Sequence, residues 1–249
     1  MEIKKLDSVT LPFKMIDLPS YAAFSDLHVM TGGPADDFQP YRFKFHHAVD
    51  FCLDMEIPSS RIIYPGDTVD MAELKDGENF DDVRQVYSKT IGILQLGQVL
   101  TGNHDPKNPL AHSDTFDTGG EYSFHFEHGH KAEWLFTGRW RWVGWLGCKF
   151  SGFLERLGIK NIDKTPAQVN DKAFKKHFER KFEKYVLNHL EKNSKMKVLI
   201  FGHTHRPFLK LINTTSLGPR IVANCGDFVG HCTFITYIDR VLTLWQVVD

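Results

Sequence analysis

The sequence is short of the features that mark disulfide frameworks, membrane spans and nucleic-acid-binding surfaces. Its four cysteines, Cys52, Cys148, Cys225 and Cys232, show no C-x-x-C spacing. No disulfide framework is expected, and reduced thiols in a cytoplasm fit this usage. The formal net charge of -1 gives no general attraction to nucleic acid or anionic membrane, so any such binding must come from a local patch. Lys4 and Lys5 are not followed by an apolar segment, and no later run is apolar over a spanning length, so the chain reads as neither secreted nor transmembrane. Repeats and low-complexity segments are absent as well.

What is present is the composition of a soluble globular protein, with 24% charged residues over 249 positions. That length suits one α/β domain spanning 1–249 with an insertion. Residues 1–20 read as an irregular or edge-strand lead-in limited by Pro12 and Pro19. Tyr21 to Phe24 is a compact strand, 31–40 a loop, and Arg42 to Met55 a helix with Phe45, Val49, Cys52 and Leu53 on one face. Adjacent His46 and His47 read as ordinary surface or packing residues. A polar loop over 72–80 leads to one helix over 81–96 with Asp81 and Asp82 in its first turn. Tyr122 to Glu127 alternates as a half-buried strand, with His125 on its polar face. A long amphipathic helix lies within 164–192, and the rest is strand-rich, with a tight turn at Asp239-Arg240.

The short apolar runs end in groups that can bind metals or carry protons. Ser25-Asp26-Leu27-His28 follows the first, and in extended backbone its acid and imidazole leave the same face. Pro65-Gly66-Asp67-Thr68-Val69-Asp70 follows the second, and Gly102-Asn103-His104-Asp105 the third. The strand ending at Glu127 delivers His128-Gly129-His130. His128 is the favoured ligand there, since Gly129 permits close backbone approach, with His130 as the substitute. Lys197 to Phe201 ends in Gly202-His203-Thr204-His205-Arg206-Pro207. Taken singly, such acids and histidines are ordinary turn or cap residues. Five strand ends carrying them in this order are not an ordinary coincidence.

The combination D-x-H, G-D-x-x-D, G-N-H-D, H-G and G-H-x-H, running from Asp26 to His205, resembles the calcineurin-like metallophosphoesterase superfamily. The resemblance implies two mixed β-sheets packed as a sandwich with helices outside. It also implies a two-metal site, one ion held by Asp26, His28, Asp67 and His205, the other by Asp67, Asn103, His128 and His203, with Asp67 bridging. Two divalent ions about 3.5 to 4 Å apart need such a shared carboxylate. Donors of nitrogen and oxygen without thiolate suit Mn²⁺, with Fe or Zn²⁺ as substitutes. His104 would give a proton to the leaving group or stabilise phosphoryl charge, and Asp70 would orient its ring.

Met71 stands where protein Ser/Thr phosphatases have Arg-Gly, and Asp105 where they have Glu, which sets that class aside. The motif at 202–207 and the run Asn224-Cys225-Gly226-Asp227-Phe228-Val229 look closer to the UDP-2,3-diacylglucosamine hydrolase type, a pyrophosphatase of lipid A synthesis. That group implies a small phosphorylated, lipid-linked substrate. The chain departs from it in having His104, where arginine is frequent, and in a longer lead-in. Residues 131–168 hold four of the five tryptophans, Trp134, Trp140, Trp142 and Trp145, interleaved with Arg139, Arg141, Lys149 and Arg156. Three readings stay open for this insert: a helical pair packed on the core, a cap over the substrate, or a peripheral membrane contact through 134–157. His130, Arg206, Trp140 and Trp142 are the candidate substrate-binding residues. Nucleotide or nucleic-acid phosphodiesterase activity is the rival enzymatic reading, although no nucleic-acid module is recognisable. A non-catalytic scaffold on the same fold is the rival of another class, set lower because no ligand is missing.

Overall fold

A computed structural model describes residues 1–12, 18–105, 107–119, 123–132, 173–214 and 218–249, with positions 142, 143, 146, 147, 149, 150 and 154. Its strands are β1 Glu2–Thr10, β2 Tyr21–Ala23, β3 Ile62–Tyr64, β4 Gln98–Val99, β5 Thr115–Asp117, β6 Ser123–Glu127, β7 Met196–Phe201, β8 Phe208–Thr214, β9 Gly218–Asn224, β10 Thr233–Ile238 and β11 Val241–Val248. The helices are α1 Arg42–Asp54, α2 Phe80–Val86, α3 Ser88–Leu96 and α4 Ala173–Lys192.

Two mixed sheets result, ordered β1-β11-β10-β2-β3-β4 and β5-β6-β7-β9-β8. Period-two alternation decides which side chains meet between them. Ala23, Ile63, Ile235, Leu242 and Leu244 of the first sheet join Phe124, Phe126, Val198, Ile200, Ile221 and Ala223 of the second in one buried cluster. On the other face of the first sheet, Phe24, Tyr64 and Phe234 pack against Phe45, Val49, Val83 and Ile91 of the helices. Beyond the second sheet, Val186 and Leu190 of α4 cover Leu199, Phe201 and Val222. The layers therefore run helix, sheet, sheet, helix, the α/β sandwich expected.

Several local expectations are corrected. For the lead-in, residues 2–10 take the edge-strand alternative, running along β11 with a register irregularity between Lys5 and Asp7, and Glu2, Lys4, Lys5 and Asp7 suit an edge that must not recruit further strands. The helix expected over 81–96 is two. Tyr87, at φ -119° and ψ 44°, separates them, because its ring is buried and its hydroxyl donates to the buried Asp36 at 2.8 Å. The same Asp36 accepts from the backbone N–H groups of Gly32, Phe38 and Gln39, which fixes the 31–40 loop. An Asn79–Asp82 capping box starts α2. β6 is buried on both faces rather than half-buried, since α4 covers its polar side. Strands β5 and β8 were not expected. Much of 131–168, including Trp134, Trp140, Trp145 and Arg156, lies outside the described residues, as do Tyr122 and Cys148. Among the described residues no helix is long and apolar enough to cross a membrane.

Phe234 is fully buried and stacks on Phe24 with centroids 5.0 Å apart. Phe234→Ala is expected to cost about 3–5 kcal/mol, read as a lower denaturation midpoint at unchanged m-value. A loss under about 1 kcal/mol would place this ring outside the packed core.

Candidate metal centre

Parallel register brings the motif-bearing strand ends to one place. Ala23 pairs with Ile63 and Tyr64 with Val99 in the first sheet, and Phe126 with Ile200 and Phe201 with Asn224 in the second. Each strand stops at the same level and hands over to a loop, as ligand sites in open α/β sheets require. Those loops turn sharply. Nine described non-glycine residues have positive φ, and five of them are Asp26, His28, Asp67, His203 and His205. Left-handed backbone at such positions costs of order 1–3 kcal/mol each, and its concentration on candidate ligands ties the cost to the site.

Two of the donor groups formed among the described residues consist of expected ligands alone. In the first, Asp26, His28 and His205 place ligand atoms within 4.8 Å of one another, with Asp26 Oδ1 3.3 Å from His205 Nε2 and 4.0 Å from His28 Nε2. In the second, Asp67, His128 and His203 do the same. His128 Nε2 lies 3.0 Å from both Asp67 Oδ2 and Asn103 Oδ1. Asp67 Oδ2 is also 3.9 Å from His28 Nε2, so this carboxylate stands between the groups.

The imidazoles are aimed from behind. His128 Nδ1 bonds the Pro65 carbonyl at 2.8 Å, which leaves Nε2 for the site. His205 Nδ1 faces Asp227 Oδ2 at 3.4 Å, and Asp227 is itself bonded to His231 Nδ1 at 2.8 Å. Such outer partners fix tautomer and ring direction. Asp67 Oδ1 accepts from the His104 backbone N–H at 2.8 Å. That approach needs Gly102, because a Cβ there would overlap the Asp67 carboxylate, and Gly202 stands in the same relation to Ser25 and Asp26. Asp105 ties the loops together by accepting from the Gly102 and Thr68 backbones, the Thr68 hydroxyl and the Asn108 amide.

Asp26, Asp67 and Asp70 are 0%, 2% and 2% exposed, and carboxylates so buried need positive partners. Burial opposes charge on His28 and His128, yet the surrounding carboxylates, Asp70 and Asp67 foremost, raise their pKa to about 10 and about 9. His130 goes the other way, to about 3, through burial and then repulsion from His128 and His203. Burial pushes Asp70 up, but His104 and His28 outweigh it and bring it to about 2. The carboxylates thus favour positive charge at His28 and His128 and not at His130. His28 Nε2 is buried and, among the described residues, has no hydrogen-bond partner, a costly condition for a nitrogen unless a cation takes its lone pair. The donor set and this orphaned atom fit a pair of divalent cations.

All seven expected metal ligands thus meet at one place. His104 and Asp70 join them, with His104 Nδ1 2.9 Å from Asp70 Oδ2. Asp70 does more than expected, since the same oxygen takes His28 Nδ1 at 3.0 Å. His130 is buried beside His128, with centroids 5.5 Å apart, but belongs to no donor group among the described residues. Arg206 is partly exposed. Trp142 is 61% exposed, and Trp140 is outside the described residues. Sequence reasoning missed the roles of Asp227 and His231. The run 224–229 contains Asp227, but nothing local says that this acid backs a histidine over twenty residues earlier.

No protein-family model matches the chain, and no curated protein matches it either. Similar solved structures include a dimetal phosphatase from Danio rerio, 10% identical at TM-score 0.48, covering 87% of this chain and 91% of that one. Vps29 from Chaetomium thermophilum is 14% identical at TM-score 0.44, with 92% and 89% covered. A predicted phosphoesterase from Streptococcus pneumoniae is 12% identical at TM-score 0.38, with 90% and 86% covered. These likenesses are too distant to assign chemistry, which has to come from the chain's own side chains.

Asp227→Asn keeps the shape behind His205 and removes the charge. It is expected to weaken divalent-cation binding about 10- to 100-fold, read by calorimetric titration of metal-stripped protein. An unchanged affinity would mean that Asp227 does not orient His205.

Proposed function

We propose that the chain is a dinuclear metal-dependent hydrolase of phosphoester or pyrophosphate bonds. The observation that supports this best is the pair of donor groups meeting at Asp67, within reach of His28 on one side and His128 on the other. Asp26, His28, Asp67 and His205 would hold one ion, and Asp67, Asn103, His128 and His203 the other. Bound divalent cations supply Lewis-acid polarisation of phosphoryl oxygens and a water of lowered pKa. Mn²⁺ is the preferred ion for these nitrogen and oxygen donors, with Fe or Zn²⁺ next.

The chain's own contribution is orientation and proton handling. Asp67 is immobilised through Oδ1 by the His104 N–H and through Oδ2 by His128. His104 has its Nδ1 engaged by Asp70; its ring would hold a proton for the leaving oxygen, and Asp70 would balance the charge of the protonated ring. Buried acids and the glycine-permitted contacts beneath them leave little room for the donors to move.

For substrate we infer a nucleoside-diphosphate-linked molecule carrying acyl chains, of the UDP-sugar lipid kind, hydrolysed at its pyrophosphate. The support is the aromatic insert. Trp142, Leu146 and Phe150, four residues apart and in helical conformation, are 61%, 49% and 62% exposed. Lys149 between them reaches the Leu74 carbonyl at 3.0 Å, so this apolar surface is anchored to the loop that follows Asp70.

Protein stripped by chelation is expected to regain turnover with Mn²⁺ on a panel of UDP-sugars with and without acyl chains, cyclic nucleotides, bis(p-nitrophenyl) phosphate and a phosphomonoester. Asp67→Asn should abolish that turnover and His104→Ala should lower kcat about 10²- to 10⁴-fold. No recovery with any of the three metals, or full activity in Asp67→Asn, overturns the hydrolase reading. Preference for nucleotides without acyl chains would select the phosphodiesterase alternative.

Removing residues 134–157 should impair acylated substrates far more than p-nitrophenyl phosphate. Equal losses would assign the insert to packing.

A further inference from the structure

A second group of potential ligands lies outside the strand-end centre, on the outer face of the second sheet. His125 and Glu127 project from β6 under α4, which supplies His189 from above, and ligand atoms of the three come within 4.8 Å of one another. His125 and Glu127 are 5% and 3% exposed, in a contact otherwise built from Val186, Leu190, Leu199 and Phe201. Buried polar groups in apolar surroundings are costly unless bonded. Here, among the described residues, His125 Nε2 and Glu127 Oε1 have no hydrogen-bond partner.

The remaining polar atoms are held from outside. Asp117 Oδ1 bonds His125 Nδ1 at 2.8 Å, which directs Nε2 toward Glu127 Oε2 at 3.7 Å. The Tyr185 hydroxyl donates to Glu127 Oε2 at 3.1 Å. The His125 and His189 rings lie 5.0 Å apart. A carboxylate behind one histidine and a hydroxyl behind the carboxylate are the outer partners that metal ligands use.

We propose that His125, Glu127 and His189 form a separate mononuclear site for a divalent transition cation, Zn²⁺ foremost, clipping α4 to β6. Two imidazoles and one carboxylate with an open fourth position are an established zinc donor set. Hard, oxygen-seeking Mg²⁺ and Ca²⁺ are disfavoured by the two nitrogens. Tetrahedral bonds of about 2.0–2.2 Å put ligand atoms about 3.3 Å apart, so side-chain rotation has to close the group by roughly one ångström or more. His189 is only partly buried, which gives the ion a way in from solvent. The rival arrangement of the same atoms is a protonated His125 between Asp117 and Glu127, with no ion.

The test counts Zn²⁺ in the full chain after stripping and equilibrium dialysis, by elemental analysis, and follows thermal melting. His189→Ala, on a partly exposed helix face, is expected to bind one equivalent fewer per chain than wild type and to lose part of the Zn²⁺-dependent rise in Tm. His189→Cys, which keeps a ligand, should restore both. Glu127→Gln should lose the same equivalent as His189→Ala. Equal zinc content in wild type and His189→Ala overturns the site in favour of the ion pair. Loss in His189→Ala with full retention in a folded Glu127→Gln overturns it in favour of surface histidine binding. Because the readout is a difference between variants, it stands whatever number of ions the strand-end centre takes.

Discussion

The contact on which the site depends is the grip on the Asp67 carboxylate. One oxygen takes the His104 backbone N–H and the other faces His128, so elements of both sheets meet on two atoms of one side chain. The grip requires a left-handed residue after β3 and a glycine after β4. Both cost conformational freedom or backbone energy. The sandwich core beneath the strand ends, with Phe124, Phe126, Ile200 and Ile235 buried in it, provides the rigidity that keeps those loops in place.

How much of this could be read from the sequence follows from the distance over which each signal acts. Asp26 with His28, Asp67 with Asp70 and Asn103 with His104 are local pairs at strand ends, and the chain itself places their members together. Their convergence was legible because parallel strands in one register stop at one level. Asp227 behind His205 and His189 over His125 were not legible, since each pairs elements far apart in the chain and neither carries a local pattern. The break at Tyr87 was hidden for a similar reason: helical spacing runs through it, and only a buried acid fifty-one residues earlier pulls the ring out of line.

Burial explains why β6 is dry on its polar face. Alternation along β6 reads as one wet and one dry side, and an isolated sheet would make it so. α4 covers the nominally wet side, so His125 Nδ1 and Glu127 Oε2 are bonded by Asp117 and Tyr185 rather than by water. Polar residues on a strand therefore do not certify exposure. They mark places where a covering element must bring its own polar partners.

Asp70 offers one oxygen, Oδ2, to both His28 and His104. Two imidazoles of the strand-end centre are thereby mechanically joined, and neither can turn without disturbing the bond that steadies the other. Substitutions at these two histidines should then be epistatic in the strict thermodynamic sense, with a coupling energy that vanishes once the shared acid is removed. An evolutionary path that retuned one ring would have to compensate at the other, so the G-D-x-x-D acid acts as a constraint on how the whole site can drift.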